Sequence, residues 1–165
     1  MKKKNIIENY LTEEAVDMVI EIAKDLPVIT EYFINGKAYI AKTIYDDLTP
    51  FSLTESHESY IKNSRTPVED FWNEMKQNNT VLENINLVFK DMELRKKIWD
   101  RLKALGMASV TAATTKNIEI TSLYATKAQA LEKLCEVLSL TRENVLAMGD
   151  GDNDMPMIEF AGIGV

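Results

Sequence analysis

Val145-Leu146-Ala147-Met148-Gly149-Asp150-Gly151-Asp152-Asn153-Asp154 decides how this chain is read. An apolar run ends in three aspartates and an asparagine within five residues, and a helical pattern follows. That is a strand entering an acidic loop and then a helix. In open α/β sheets, ligands bind at the carboxyl ends of parallel strands, where such a loop sits. Crowded carboxylates repel one another and are tolerated beside a cation or solvent. Hard oxygen donors of this kind suit magnesium, which takes one or two carboxylates together with waters and phosphate oxygens. Taken alone, an Asp/Gly/Asn cluster is equally a polar surface turn. The alternate spacing of Asp150, Asp152 and Asp154 also resembles the start of a calcium loop. That loop needs Gly where Met155 stands and Glu where Ala161 stands, so an EF-hand is excluded.

Moving outward, residues 153–160 read as a helix and Ile163-Gly164-Val165 as another apolar strand. Upstream, Thr126 can cap a helix beginning at Lys127, with Ala130, Leu131, Leu134 and Leu138 facing inward. Cys135 falls at an apolar position of that helix, where packing is its role. Val145 to Met148 has the uninterrupted apolar pattern of a strand buried on both faces of a parallel sheet. So few strands rarely stand alone. Residues 122–165 are therefore expected to be part of a larger α/β unit, with unpaired strand edges that favour self-association.

The stretch before residue 122 has a different texture. Thr12 is an N-cap for a helix over 12–25, with Ala15, Val16, Val19, Ile20 and Ala23 in register. Val28 to Ile34 and Lys37 to Thr43 flank Asn35-Gly36, the strongest short hairpin signal. Residues 46–64 are polar and suggest a short helix within a loop. Pro67 is expected to open a helix whose inner face carries Val68, Phe71, Trp72 and Met75. Ile85 to Lys90 reads as a strand. Asp91 then caps a helix to Leu105, with Leu94, Ile98, Leu102 and Leu105 inward and Gly106 as its stop. Two strands follow, Met107 to Thr114 and Asn117 to Thr121, joined by a tight turn. The expectation is an α+β layer with helices on one face of a largely antiparallel sheet. The aromatic residues Phe71, Trp72, Phe89 and Trp99 serve as packing groups.

Composition narrows the function classes. The net charge is −7, which argues against a general nucleic-acid binder. An anionic substrate must then be met by local positive groups or a metal. The single cysteine allows no internal disulfide, and the single histidine, His57, sits in a polar stretch with no second histidine to build a zinc site. Met1-Lys2-Lys3-Lys4 is basic, but no long apolar segment follows, so neither a signal peptide nor a membrane span is expected and a cytoplasmic location is the default.

The final motif, Gly149-Asp150-Gly151-Asp152-Asn153-Asp154-Met155-Pro156-Met157 continuing through Ala161-Gly162-Ile163-Gly164-Val165, resembles the last motif of the haloacid dehalogenase superfamily, closest to the Cof-like (type IIB) phosphatases. Asn117-Ile118-Glu119-Ile120-Thr121 with Ala125-Thr126-Lys127-Ala128 is similar to the passage that leads into the family's lysine. The resemblance implies an α/β protein in two parts: a cap over 1–121 that selects substrate, and an incomplete C-terminal piece of the hydrolase core over 122–165. It implies Mg2+ held by Asp150, with Asp154 supporting the metal site. Lys127 and Asn153 would bind the phosphoryl group, and Asp152 would be a loop residue. The substrate would be a small phosphorylated metabolite.

Two departures from the family pattern stand out. Ala128 occupies the position that is usually glycine. The family's nucleophile strand, ending DxDGT or DxDGS, has no counterpart in residues 1–165: Tyr45-Asp46-Asp47-Leu48-Thr49 lacks its spacing. The expectation is a chain inactive by itself that belongs to a phosphatase working through an aspartyl-phosphate. The alternative is a non-catalytic module, binding small ligands or oligomerising, that is a remnant of such an enzyme.

Overall fold

Asn35 and Gly36 both hold positive φ, 52° and 70°, and turn the chain between β1 (Ile29–Ile34) and β2 (Lys37–Ala41). This is the conformation a two-residue hairpin needs to match strand twist. Around that hairpin the computed structural model, which describes residues 5–151 and 153–165, builds a six-stranded sheet. The basic start, Met1 to Lys4, and Asp152 lie outside the described residues.

The remaining strands of this sheet are β3 (Arg65–Val68), β4 (Asn84–Val88), β5 (Ser109–Thr111) and β6 (Asn117–Thr121). Their order is β3-β2-β1-β4-β6-β5, and every pairing is antiparallel except β2 with β3. The sheet lies within a compact unit, Tyr10–Ser122. Alternation along the strands puts Tyr32, Ile85, Leu87, Ile118 and Ile120 on one face. There they pack with α1 (Glu13–Ala23), α4 (Phe71–Gln77) and α5 (Met92–Leu105). Thr12 accepts the Ala15 N–H, and Asp91 accepts those of Glu93 and Leu94, so both expected caps form. Gly106 ends α5 at φ 63°.

The structure corrects four expectations in this unit. Pro67 opens no helix; it lies in β3, opposite Ile40 of β2. β3 is an edge strand, where a missing N–H is tolerated, and α4 starts only at Phe71. Helices are not confined to one face. α2 (Lys42–Asp46), a 3-10 turn over Thr49–Phe51 and α3 (Glu55–Ser64) cover one end of the other face, where Ile29, Ile40, Leu48 and Ile61 form a second small core. Leu105, expected inward, is exposed at the last turn of α5. Residues 112–116 form a longer connection than a tight turn. Phe71 and Phe89 are buried, Trp72 and Trp99 are packed against the main core, and His57 is exposed in the first turn of α3.

Beyond α2 and α3, the second face of the sheet is polar. Glu31, 2% exposed, takes a bidentate pair of bonds from Arg65, Nε–Oε1 at 2.6 Å and Nη2–Oε2 at 3.0 Å. Asn86 donates to the same carboxylate at 2.9 Å, and Asn117 donates to Asn86 Oδ1 at 3.0 Å. A charge this deep is stable only while paired and hydrogen-bonded.

The second unit comprises residues 5–9 with Leu123–Val165. It holds α6 (Lys127–Leu138), β7 (Leu146–Ala147), α7 (Met155–Phe160) and β8 (Ile163–Gly164), with β7 and β8 pairing in parallel. The strand expected to be buried on both faces is not: Ala147 is buried, whereas Leu146 and Met148 are 59% and 67% exposed. Leu134 and Leu138 are likewise exposed on α6, and only Cys135 is buried there. Among the described residues no helix is long and apolar enough to cross a membrane.

Replacing Arg65 by alanine leaves the Glu31 carboxylate buried without its cation. We expect the unfolding free energy to fall by about 3–5 kcal/mol, read from equilibrium urea denaturation followed by tryptophan fluorescence. A change under about 1 kcal/mol would show that water reaches Glu31.

Candidate active site

Thr126 caps α6 through its hydroxyl, which accepts the Gln129 N–H at 3.2 Å. Lys127 is thereby the first residue of the helix, where its charge adds to the positive end of the helix dipole. Its side chain reaches across the unit to Asp154, and the Lys127 Nζ and Asp154 Oδ1 form an ion pair.

Asp154 sits at the N-cap of α7 and is 7% exposed. Its second oxygen, Oδ2, accepts the backbone N–H groups of Gly151 at 3.2 Å and Asp150 at 3.3 Å. Its own N–H donates to Gly151 O at 2.8 Å. One carboxylate thus ties the lysine, the 150–151 backbone and the start of α7 together. These bonds hold the Asp154 carboxyl below the usual aspartate range: the Lys127 hydrogen bond contributes most, against the opposing effect of desolvation, and the two N–H groups assist.

Gly149 makes this arrangement possible. A Cβ there would stand 2.3 Å from Asp154 Cβ and 2.6 Å from its Cγ, so any larger residue would push Asp154 away. Gly164 plays the same part beneath α7, where a Cβ would meet Ile158 O at 2.4 Å.

Of the residues singled out in the sequence, Lys127 and Asp154 therefore meet directly. Asp150 joins them through its backbone N–H, while its side chain lies in an exposed position at the end of β7. Asn153 is half-buried in the same loop. Asp152, read as a loop residue, lies outside the described residues. Among the described residues no three His, Cys, Asp or Glu side chains converge into a metal cluster. A groove of about 330 Å³ runs beside Lys127, lined also by Ile7, Asn9, Ala125, Thr126 and Ala130. The part played by residues 5–9 in this unit was not read from the sequence. Its one local signal is the polar Asn9, whose side chain donates to Tyr124 O at 2.6 Å.

The chain belongs to the haloacid dehalogenase-like hydrolase family, whose profile matches residues 1–165. The 5-amino-6-(5-phospho-D-ribitylamino)uracil phosphatase YcsE of Bacillus subtilis is 41% identical over 76 residues, which is 46% of this chain and 30% of that protein. A phosphoglycolate phosphatase of Methanopyrus kandleri is 46% identical over 39 residues, 24% of this chain and 17% of that protein. Among solved structures, a haloacid dehalogenase-like hydrolase from Bacteroides thetaiotaomicron superposes with a TM-score of 0.71 at 24% identity, covering 95% of this chain and 56% of the other. The subclass IIB sugar phosphatase BT4131 gives 0.70 at 13% identity, covering 96% and 56%. These two likenesses establish the fold. The chain spans little more than half the length of those structures.

The depressed Asp154 carboxyl carries a sign. Its folded-state pKa lies below the unfolded one, so the ion pair stabilises the unit above the usual carboxylate range and is lost as pH falls through the depressed value. Carboxyl carbon NMR of Asp154 is expected to titrate below an ordinary aspartate, and Lys127→Ala to move the midpoint upward. An unchanged midpoint in that variant would mean the lysine does not set it.

Proposed function

We propose that this chain supplies the cap and the magnesium-and-lysine half of the active site of a phosphatase acting on small phosphorylated metabolites. The observation that carries this reading is the convergence of Lys127 with the 149–154 loop at the end of β7. A cationic side chain at a helix N-terminus, next to hard oxygen donors, is what a transferring phosphoryl group requires.

Roles follow from what each side chain has left to offer. Asp154 has both oxygens engaged, so it acts as a positioning residue that fixes Lys127 and the 150–151 backbone. Asp150 keeps an exposed carboxylate and would hold Mg2+, with Asp154 behind it. One free carboxylate is within the range magnesium accepts, the rest of its shell being waters and phosphate oxygens. Bound there, the cation would neutralise charge on the phosphoryl oxygens. Lys127 would approach the same oxygens from the helix side, and Asn153 would donate to them from the loop. The nucleophile is not among residues 1–165, so the aspartyl-phosphate step belongs to a DxDG[TS] strand that these residues do not contain. The unit Tyr10–Ser122 would act as the cap.

The pure 165-residue chain is expected to show no Mg2+-dependent hydrolysis of p-nitrophenyl phosphate. The coding DNA upstream of Met1 is expected to encode the DxDG[TS] strand. Expressed with that segment, the protein should turn over, and Lys127→Ala should lower kcat by about 100- to 1,000-fold. Turnover by the 165-residue chain alone would overturn the reading.

A second reading, a self-associating module, is favoured by one observation: Leu146 and Ile163 stand exposed on a two-stranded sheet, with Met148 and Val165 exposed just beyond its strands. Unpaired strand edges beside apolar surface favour association. Light scattering after size exclusion is expected to give a mass above 18.7 kDa that rises with concentration. A strict monomer at high concentration would remove this reading.

A further inference from the structure

Two peptide bonds in this chain join an asparagine or aspartate to a following glycine: Asn35-Gly36 and Asp150-Gly151. Such a bond rearranges without an enzyme. The glycine nitrogen gives up its proton and attacks the side-chain Cγ of the residue before it. The new C–N bond closes a succinimide ring. Asn35 expels its amide nitrogen, which leaves with the glycine proton as ammonia. The Asp150 carboxyl, with a further proton from solvent, expels water. A second water opens the ring at either carbonyl. One opening gives aspartate; the other gives isoaspartate, whose main chain runs through Cβ. Glycine favours the reaction because no Cβ hinders the approach.

Exposure alone would leave both sites reactive, since Asn35, Gly36, Asp150 and Gly151 all face solvent. A Cβ built on Gly36 would meet no atom within 4 Å, so packing does not shield that turn. What the two sites share is the fate of the glycine N–H. Gly36 donates to Glu83 Oε2 at 3.0 Å, and Gly151 donates to Asp154 Oδ2 at 3.2 Å. Each carboxylate is fixed within its own unit. Glu83 is half-buried at the start of β4, with its own N–H on Phe33 O at 2.9 Å. Asp154 is nearly buried and tied to Lys127. Each opposes the first step in two ways. A charge-assisted hydrogen bond must break before the nitrogen can turn toward Cγ. Negative charge growing on that nitrogen then meets a carboxylate of the same sign.

We infer that Asn35 and Asp150 are sites of spontaneous isoaspartate formation, and that Glu83 and Asp154 are the residues that hold the reaction back in the folded chain. The inference does not depend on the phosphatase reading. At residue 35, isoaspartate puts an extra backbone atom into a two-residue turn whose length sets the register, so the Ile34–Lys37 pair that closes the hairpin is disrupted. At residue 150 it lengthens the backbone between the two N–H groups that share Asp154 Oδ2 and draws them apart.

The test ages the 165-residue chain at mildly alkaline pH, folded and in urea, and counts isoaspartate at each site by peptide mapping with an isoaspartate-specific methyltransferase. Both sites are expected to react at least about tenfold more slowly in the folded chain than in urea. Glu83→Ala should speed residue 35 by about tenfold in the folded chain, with residue 150 and the rates in urea unchanged. Glu83→Gln keeps an acceptor without the charge and should fall between. An unfolded variant would react faster for the wrong reason, so amide hydrogen exchange on the unmodified chain reads the same N–H without a substitution. There Gly36 and Gly151 are expected to exchange at least about tenfold more slowly than in urea. Unprotected amides at Gly36 and Gly151, folded rates equal to those in urea, or an unchanged rate at residue 35 in a folded Glu83→Ala chain would overturn the inference. Protection at one site alone would overturn it for the other.

Discussion

Everything arranged around β7 depends on the carboxylate of Asp154. It is nearly buried, at the foot of a short helix, with one oxygen on a lysine from a distant helix and the other on two backbone N–H groups. A carboxylate in that position cannot be given up piecemeal. Without Lys127 it is a buried charge short of a partner; without the 150–151 backbone, the loop has nothing to close on. Gly149 is the steric condition for both, because the carboxylate occupies the space its side chain would fill. The acidic loop is thus held by Asp154, while the Asp150 side chain stays exposed.

The two faces of the larger sheet divide labour in a comparable way. One face is aliphatic and aromatic, closed by α1, α4 and α5. The other spends part of its area on a small core under α2 and α3 and the rest on a row of amides and carboxylates. Apolar packing of the first face supplies the stability that lets the second carry buried polar groups, each of which costs free energy unless satisfied. The Glu31–Arg65 pair is where that cost is greatest.

Much of this was legible in the residues. Asn35-Gly36, Thr12, Asp91 and Gly106 act through their own backbone chemistry, so the hairpin and the ends of α1 and α5 follow from sequence. Lys127 and Asp154 were both singled out through the family resemblance, but the ion pair between them was not read from the sequence. Pro67 was misread because proline is equally at home opening a helix and lying in an edge strand. Only the partner strand, β2, decides between them. The exposure of Leu134, Leu138, Leu146 and Met148 could not be read from periodicity, which assigns a face but not what covers it. The polar row was invisible for a related reason. Glu31, Asn86 and Asn117 are ordinary polar residues on separate strands until sheet order sets them side by side.

Pro67 has a consequence for how the sheet can grow. In an edge strand its ring nitrogen must face away from β2, so the outer rim of β3 lacks a donor where an added strand would need one. At the opposite rim, β5 is only three residues long. The larger sheet is therefore a poor template at both ends.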